Sequence, residues 1–144
     1  MNIPNMFSAT QISSSGLSAE KLRLEVAANN ISNAHTTGAA GPFRRQLVLF
    51  ADGMTDPVTG TVGPAGQLRG VAIQGVVPDQ AELPQLFDPG HPHADSRGFV
   101  TMPNVSVPIE MVDLMTASRA YEANLKALQS YRQMVEQTLS LMRG

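Results

Sequence analysis

Cysteine and tryptophan are absent from this chain, and only five Phe and two Tyr supply it with aromatic rings. Without Cys there is no disulfide framework and no thiolate chemistry, although that absence does not place the compartment. So few aromatics supply a large compact core poorly in a chain of 144 residues, the length of one ordinary domain or one elongated subunit. A basic cluster is missing too: ten Lys and Arg are scattered from Lys21 to Arg143, and the formal net charge is -2. A nucleic-acid surface calls for a concentrated basic patch. No run approaches the roughly 20 apolar residues of a membrane span. Met1 to Thr10 carries no Lys or Arg, and no apolar run of signal-peptide length follows it. The conventional reading is cytoplasmic, with export by a route that needs no cleaved signal as the one escape.

Helix breakers are scarce at both ends and dense between them. Ten of the twelve Gly and seven of the ten Pro lie between Gly38 and Gly98. Three regions follow: residues 1–37 as an N-terminal helix, 38–106 as a Gly/Pro-rich segment of strands and loops, and 107–144 as a long C-terminal helix.

The C-terminal region carries the strongest pattern. From Val107, residues three and four apart continue as Met111, Leu114, Ser118, Tyr121, Leu125, Leu128, Arg132, Val135, Leu139 and Met142. A second stripe runs beside it through Ala117, Ala120, Asn124, Ala127, Tyr131, Met134, Thr138 and Leu141. A two-stranded seam needs only two apolar positions per heptad. Such a helix, roughly 50 Å long at 1.5 Å per residue, wants neighbours on more than one side.

The first region reads as a helix from about Ser8 to Asn33. Ile12, Ala19, Leu22 and Val26 form one stripe, and Leu17, Leu24, Ala28 and Ile31 another. Gly16 is a soft spot, costing about 1 kcal/mol against Ala. Asn29 and Asn33 continue the inward stripe where an apolar residue would pack better. Capping is the preferred reading for Asn33; for Asn29 and Asn30, capping and register-setting stand level.

Between the helices, Phe43 to Ala51 and Val71 to Val77 read as strands, Asp52 to Gly66 as turns, and Phe99 to Met102 as a third short strand. Pro103 and Pro108 keep the chain extended, and Pro108 suits a first helical turn. The fold class expected is mainly α with a small β insertion, its long terminal helices pairing in a coiled-coil-like module.

Chemistry-bearing groups are few. Asp88, His91, His93 and Asp95 invite a metal reading, but Pro89 and Pro92 splay their neighbours rather than gather them. A stiff surface loop whose Asp and His groups bond the backbone is the better account. Gly60 to Gly70 lacks the Gly-Lys-Ser/Thr ending of a phosphate loop, and Arg44 with Arg45 reads as a solvated strand edge. No nucleophile or third ligand stands near the His pair, so no enzyme and no cofactor are expected.

The segment Ala27-Ala28-Asn29-Asn30-Ile31-Ser32-Asn33-Ala34, with Thr36-Thr37-Gly38 after it, resembles the N-terminal signature of bacterial flagellar axial proteins. Asp88-Pro89-Gly90-His91-Pro92, Asp95, Gly98-Phe99-Val100 and Met102-Pro103-Asn104-Val105 narrow the resemblance. With Glu110-Met111 and Ala117-Ser118-Arg119-Ala120-Tyr121-Glu122-Ala123-Asn124 they are similar to the short proximal-rod members of the rod/hook family. Asp52 to Gly70 departs by being longer and richer in Gly and Pro.

The resemblance implies a non-enzymatic rod subunit of the basal body, exported unfolded through the flagellar type III apparatus and polymerising in the periplasm. Its implied partners are other copies of itself, other rod proteins and the export apparatus, with no nucleic acid and no small-molecule substrate. The expected inter-subunit stripes comprise Leu17, Leu22, Leu24, Val26, Ile31, Met111, Leu114, Tyr121, Leu125, Leu128, Tyr131, Val135, Leu139 and Met142. Ser118 and Arg132, which interrupt the main stripe, are the expected places for partner specificity. A cytoplasmic coiled-coil adaptor, or a metal-binding protein using His91 and His93, is the alternative.

Overall fold

The computed structural model describes residues 3–38, 41–52 and 70–143. In chain order its elements are α1 (Ile3–Ser32), β1 (Thr37–Gly38), β2 (Gly41–Pro42), β3 (Gln46–Asp52), β4 (Val71–Pro78), β5 (Gln85–Phe87), β6 (Phe99–Thr101) and α2 (Val107–Arg143). The chain is therefore mainly helical with a small β region between the helices. The Gly/Pro-rich turns of Asp52 to Gly66 and the Gly60 to Gly70 segment fall almost wholly in 53–69, outside the described residues.

The breaker-poor ends form the helices. α1 starts five residues earlier than the stripe indicates, because Pro4 is tolerated in a first turn. In the first turn of α2 the Glu110 N–H donates to the Ser106 carbonyl at 3.0 Å, with Pro108 in the same turn.

The two helices pack against each other and run antiparallel. Asn30 meets Glu110, and Gly16, fourteen residues back along α1, meets Asn124, fourteen forward along α2. Gly16 is more than a soft spot: a Cβ there would lie 2.9 Å from Asn124 Nδ2. Small residues recur on both helices, with Ala19 and Ala117 also buried. Among the described residues the fully buried apolar set is Ala19, Val26, Ala27, Ala34, Val100 and Ala117. Four of these are alanines, so the core is thin.

β3 and β4 form an antiparallel hairpin from Gln46↔Pro78 to Asp52↔Val71, with an irregularity between Leu49 and Phe50. The strand expected from Phe43 starts only at Gln46. The Phe43 N–H donates to the Thr36 carbonyl at 3.1 Å, and the Arg45 N–H to Asn104 Oδ1 at 2.8 Å. Those amides are committed elsewhere and cannot join the ladder.

The hairpin lies along α1 and is fastened at both ends. At one end Asn30 bonds the backbone of Gln46. At the other, Ser15 Oγ accepts the Val71 N–H at 3.1 Å while donating to the Ile12 carbonyl at 2.8 Å. Fifteen helical residues span about 22 Å and the strand from Gln46 to Asp52 about 20 Å, so the lengths match. A Cβ on Gly70 would sit 1.7 Å from Ser15 Oγ, so this crossing requires glycine.

β5 and β6 pair antiparallel through Gln85↔Thr101 and Phe87↔Phe99, with the two Phe rings edge-to-face at 5.3 Å. β6 ends one residue short of Met102, whose N–H turns to the Pro84 carbonyl at 2.8 Å. The periodicity did not reveal β5, a three-residue strand held between prolines. β1 and β2 make a third, two-residue ribbon.

Candidate assembly interface

Where α1 ends, the chain builds a polar junction inside an otherwise apolar contact. Asn30 is 1% exposed and Glu110 2% exposed. Asn30 Nδ2 donates to the Gln46 carbonyl at 2.9 Å and to Glu110 Oε2 at 3.0 Å. Its Oδ1 accepts the Gln46 N–H at 2.9 Å, so one side chain treats β3 as a neighbouring strand would. Arg45 Nε donates to Glu110 Oε1, and its Nη2 reaches Asp113 Oδ2 at 3.2 Å. A buried carboxylate is tolerable only with such compensation.

The inward position belongs to Asn30, correcting the placement of Asn29 on that face; Asn29 is exposed. Asn33 caps instead. Its Nδ2 donates to the Asn29 carbonyl at 3.0 Å, and the Thr36 hydroxyl donates to its Oδ1 at 3.2 Å. The buried contact with Glu110 and Gln46 and the helix cap thus fall on different asparagines one turn apart. Pro103 is buried and Asn104 half-buried beside the same junction. A cleft of about 180 Å³ opens over it, lined by Arg23, Asn30, Arg45 and Glu110 among others. That is below the roughly 300–1,000 Å³ of usual small-molecule sites.

The stripes of α2 divide differently from the sequence pattern. The shielded line is Glu110, Leu114, Ala117, Tyr121, Asn124, Leu128, Tyr131, Val135 and Thr138, alternating steps of four and three. It combines half of each expected stripe. The line through Leu114 can be flanked by Met111 and Ser118 or by Ala117 and Asn124. α1 packs on the Ala117 side, where small residues and the gap at Gly16 allow close approach. Exposed as a result are Met111 at 51%, Leu125 at 40%, Leu139 at 54% and Met142 at 77%. Ile109, Val112, Met115, Met134 and Leu141 join them. Of the interrupting residues, Ser118 is half-buried and Arg132 exposed, as is Arg119. On α1, Val26 is buried while Leu17, Leu22, Leu24 and Ile31 are half-buried; Ala28 is exposed.

The loop from Asp88 to Gly98 closes on itself. Asp88 Oδ1 accepts the Gly90 N–H at 3.2 Å, and the Asp88 N–H donates to the Gly98 carbonyl at 2.9 Å. Asp95 Oδ1 accepts the N–H groups of Arg97 at 2.8 Å and Phe99 at 2.9 Å. The Phe99 amide holds the Asp95 carboxyl below its ordinary value of 3.8; slight desolvation opposes this, and Arg97 adds to the lowering. His91 Nδ1 accepts the His93 N–H at 3.1 Å, and both rings converge on Thr37 Oγ1, at 3.4 and 3.2 Å. The loop is thereby tied to β1; Asp88, His91 and Asp95 accept backbone N–H groups as expected, while the His93 ring bonds the Thr37 hydroxyl instead. Pro89, Gly90 and Pro92 supply the turns between them. Among the described residues no group of three or more His, Asp or Glu gathers as a metal site, and no described helix is long and apolar enough to cross a membrane.

Two family models match the parts that build this arrangement. Residues 11–39 match the flagella basal body rod protein family, and residues 96–141 the C-terminal region of the flagellar basal body rod FlgEFG proteins. Whole-chain relatives agree. The flagellar basal-body rod protein FlgC of Salmonella typhimurium is 40% identical, with 98% of each chain covered. That of Borreliella burgdorferi is 37% identical over 96% of this chain and 99% of its own. The Aquifex aeolicus FlgC is 34% identical over 93% and 95%. The chain belongs to the FlgC family of flagellar basal-body rod proteins. FlgC proteins are structural components of the rod and not enzymes, and the metal-binding and adaptor alternatives are not favoured. The matched segments include Asn30, the Asn33 cap, Asp113 and the whole shielded line of α2 from Leu114 to Thr138; Glu110 also lies within the second.

Proposed function

We propose that this chain polymerises through α1 and α2 into the proximal part of the periplasmic rod, the shaft that carries motor torque to hook and filament. One observation carries the reading: the helix pair leaves a broad apolar surface on α2 in water. A soluble monomer rarely keeps such a surface without a use for it. Fully burying a Met, Val or Leu side chain is worth about 1.5–3 kcal/mol. Covering the outstanding parts of Met111, Val112, Met115, Leu125 and Leu139 would therefore drive association strongly.

In this reading the shielded line of α2 holds the pair together in coiled-coil fashion. The exposed residues, with the half-buried Leu17, Leu24 and Ile31, meet other copies and other rod proteins. The thin, alanine-rich core and the Cys-free composition suit a subunit that crosses the type III export apparatus unfolded, without a cleaved signal, and orders on assembly.

The test is deletion of the gene followed by fractionation of basal bodies, then complementation with a chain lacking Leu139 to Gly144. The reading expects loss of rods and motility, restored by the full chain but not by the truncated one. Full motility in the truncated strain, or finding the protein outside basal bodies, would sink it.

A further inference from the structure

We propose that Glu110 is a positioning residue that acts as a register key. With Asn30 and Arg45 it selects the one alignment of α1, α2 and the β3–β4 hairpin that is built into the rod. The inference rests on the rod-subunit reading for its consequence in cells, but not for its geometry.

The shielded line of α2 repeats every seven residues, and its members are mostly interchangeable in kind. Leu114, Tyr121, Leu128 and Val135 form one series, with Ala117, Asn124, Tyr131 and Thr138 beside it. Apolar packing alone discriminates poorly between alignments one heptad apart, as in regular helical pairs. A slip of seven residues would place Asn30 against Ala117 and leave the Glu110 carboxylate without its amide partner. No other buried charge occurs among the described residues, so this is the one described position where a slip would strand a charge away from water.

The hairpin reads the same key. Asn30 engages both backbone groups of Gln46, and the adjacent Arg45 pairs with the Glu110 it has just been brought beside. A slipped helix pair could not satisfy the carboxylate and the strand together. Buried ionic groups stabilise weakly compared with apolar replacements, while an unpaired one is strongly unfavourable. The constellation is thus suited to rejecting wrong alignments rather than to tightening the right one.

The chain contains no Cys, so introduced pairs report alignment directly. The purified full chain would carry Gly16→Cys with Asn124→Cys for the observed register. Gly16→Cys with Tyr131→Cys, or with Ala117→Cys, reports slips of one heptad either way. Each pair is oxidised at a concentration where the helical signal has saturated. With Glu110 present, only the first pair should cross-link. With Arg45→Met and Glu110→Leu together, helix content and melting midpoint should hold. The slipped pairs should then rise to at least a tenth of total cross-link, and motility of cells carrying the Cys-free double variant should fall at least tenfold. Glu110→Gln, which keeps the shape and one acceptor oxygen but turns a donor NH2 toward either Asn30 Nδ2 or Arg45 Nε, should favour the first pair less exclusively than the parent and more than the apolar double variant. Exclusive native cross-linking in the apolar double variant overturns the proposal. So does its failure to form helix, since the constellation would then be a plain stabiliser. Selective cross-linking in the purified chain combined with a rod of normal function in the double variant's cells would leave the key intact and count against the rod reading instead.

Discussion

The side-chain amide of Asn30 meets the carboxylate of Glu110 at 3.0 Å across eighty residues of sequence. Both groups are shut away from water, and both also hold the start of β3, Asn30 through the Gln46 backbone and Glu110 through Arg45. Helix pairing and hairpin docking therefore share their central bonds. Loosening either one exposes or orphans a group that the other needs, so the two should form and break together.

Replacing Asn30 by Leu tests this coupling. The change removes three hydrogen bonds and leaves the Gln46 N–H, its carbonyl and the Glu110 carboxylate short of partners. Unsatisfied buried groups cost about 1–3 kcal/mol each, and the Arg45–Glu110 ion pair itself stays in place. Urea titration followed by helix signal and by a reporter on the hairpin should show both transitions shifted together by at least about 3 kcal/mol. Separate transitions for helices and hairpin would contradict the shared junction.

Gly16 and Asn124 should behave as a coupled pair. Ala in place of Gly inside a helix is worth about 1 kcal/mol, but here the new Cβ meets Asn124 Nδ2 at 2.9 Å. Gly16→Ala alone should therefore be close to neutral as the amide swings aside. Gly16→Ala combined with Asn124→Ala should recover about 0.5–1 kcal/mol relative to Asn124→Ala alone. Strict additivity in a double-mutant cycle of melting midpoints would mean the two do not touch.

The helices were legible because their patterns are long and their flanks lack breakers; both appear within a few residues of their expected limits. Asn30 was harder to read. Three asparagines in five residues point round the helix in different directions, and only the position of β3 decides which one faces inward. The outer and inner stripes of α2 were confused for a related reason. Both neighbours of the Leu114 line are apolar or small, and the choice between them rests on how closely α1 can approach at Gly16. Glu110 stood out only within the Glu110-Met111 motif of the family resemblance; its burial gave no signal, since an acidic residue in a first helical turn is ordinary. Its partner Arg45 looked like a strand-edge charge until the fold placed them together. β5 escaped because three residues carry no usable periodicity.

The Asp95 carboxylate gives the β5–β6 hairpin a pH dependence of known sign. Its folded value is lowered, chiefly by the Phe99 N–H. Its contribution is therefore fully present above the ordinary value of 3.8 and is lost as the pH falls through the lower folded value. Amide exchange at Phe99 should show constant protection from neutral pH down to about pH 5, then a decline on further acidification. Asp95→Asn should weaken that protection at neutral pH and flatten its pH profile. A profile unchanged by the substitution would remove Asp95 from the account.

The division of α2 into a shielded and an open face makes opposite demands on stability and assembly. Leu128 lies on the shielded line and Leu139 is 54% exposed, although both belong to one apolar stripe in the sequence. Leu128→Ala removes packing against α1 and should cost about 2 kcal/mol in the isolated chain, the lower end for a core leucine because the site is half-buried. Leu139→Ser loses little that the isolated chain uses, so its melting midpoint should stay within about 0.5 kcal/mol of the parent. In cells the order should reverse for any chain that still folds: Leu139→Ser should reduce incorporation into basal bodies while leaving the protein level unchanged. Ser118→Ala and Arg132→Ala extend the same comparison to the polar breaks in the stripe. Because Arg132 is exposed and Ser118 half-buried, Arg132→Ala should affect incorporation more than folding, and Ser118→Ala should show the smaller effect on assembly. Quantitative blots of fractionated basal bodies, set beside melting curves of the purified variants, separate the two effects. If every variant that incorporates poorly is also unstable to the same degree, α2 has no face reserved for neighbours.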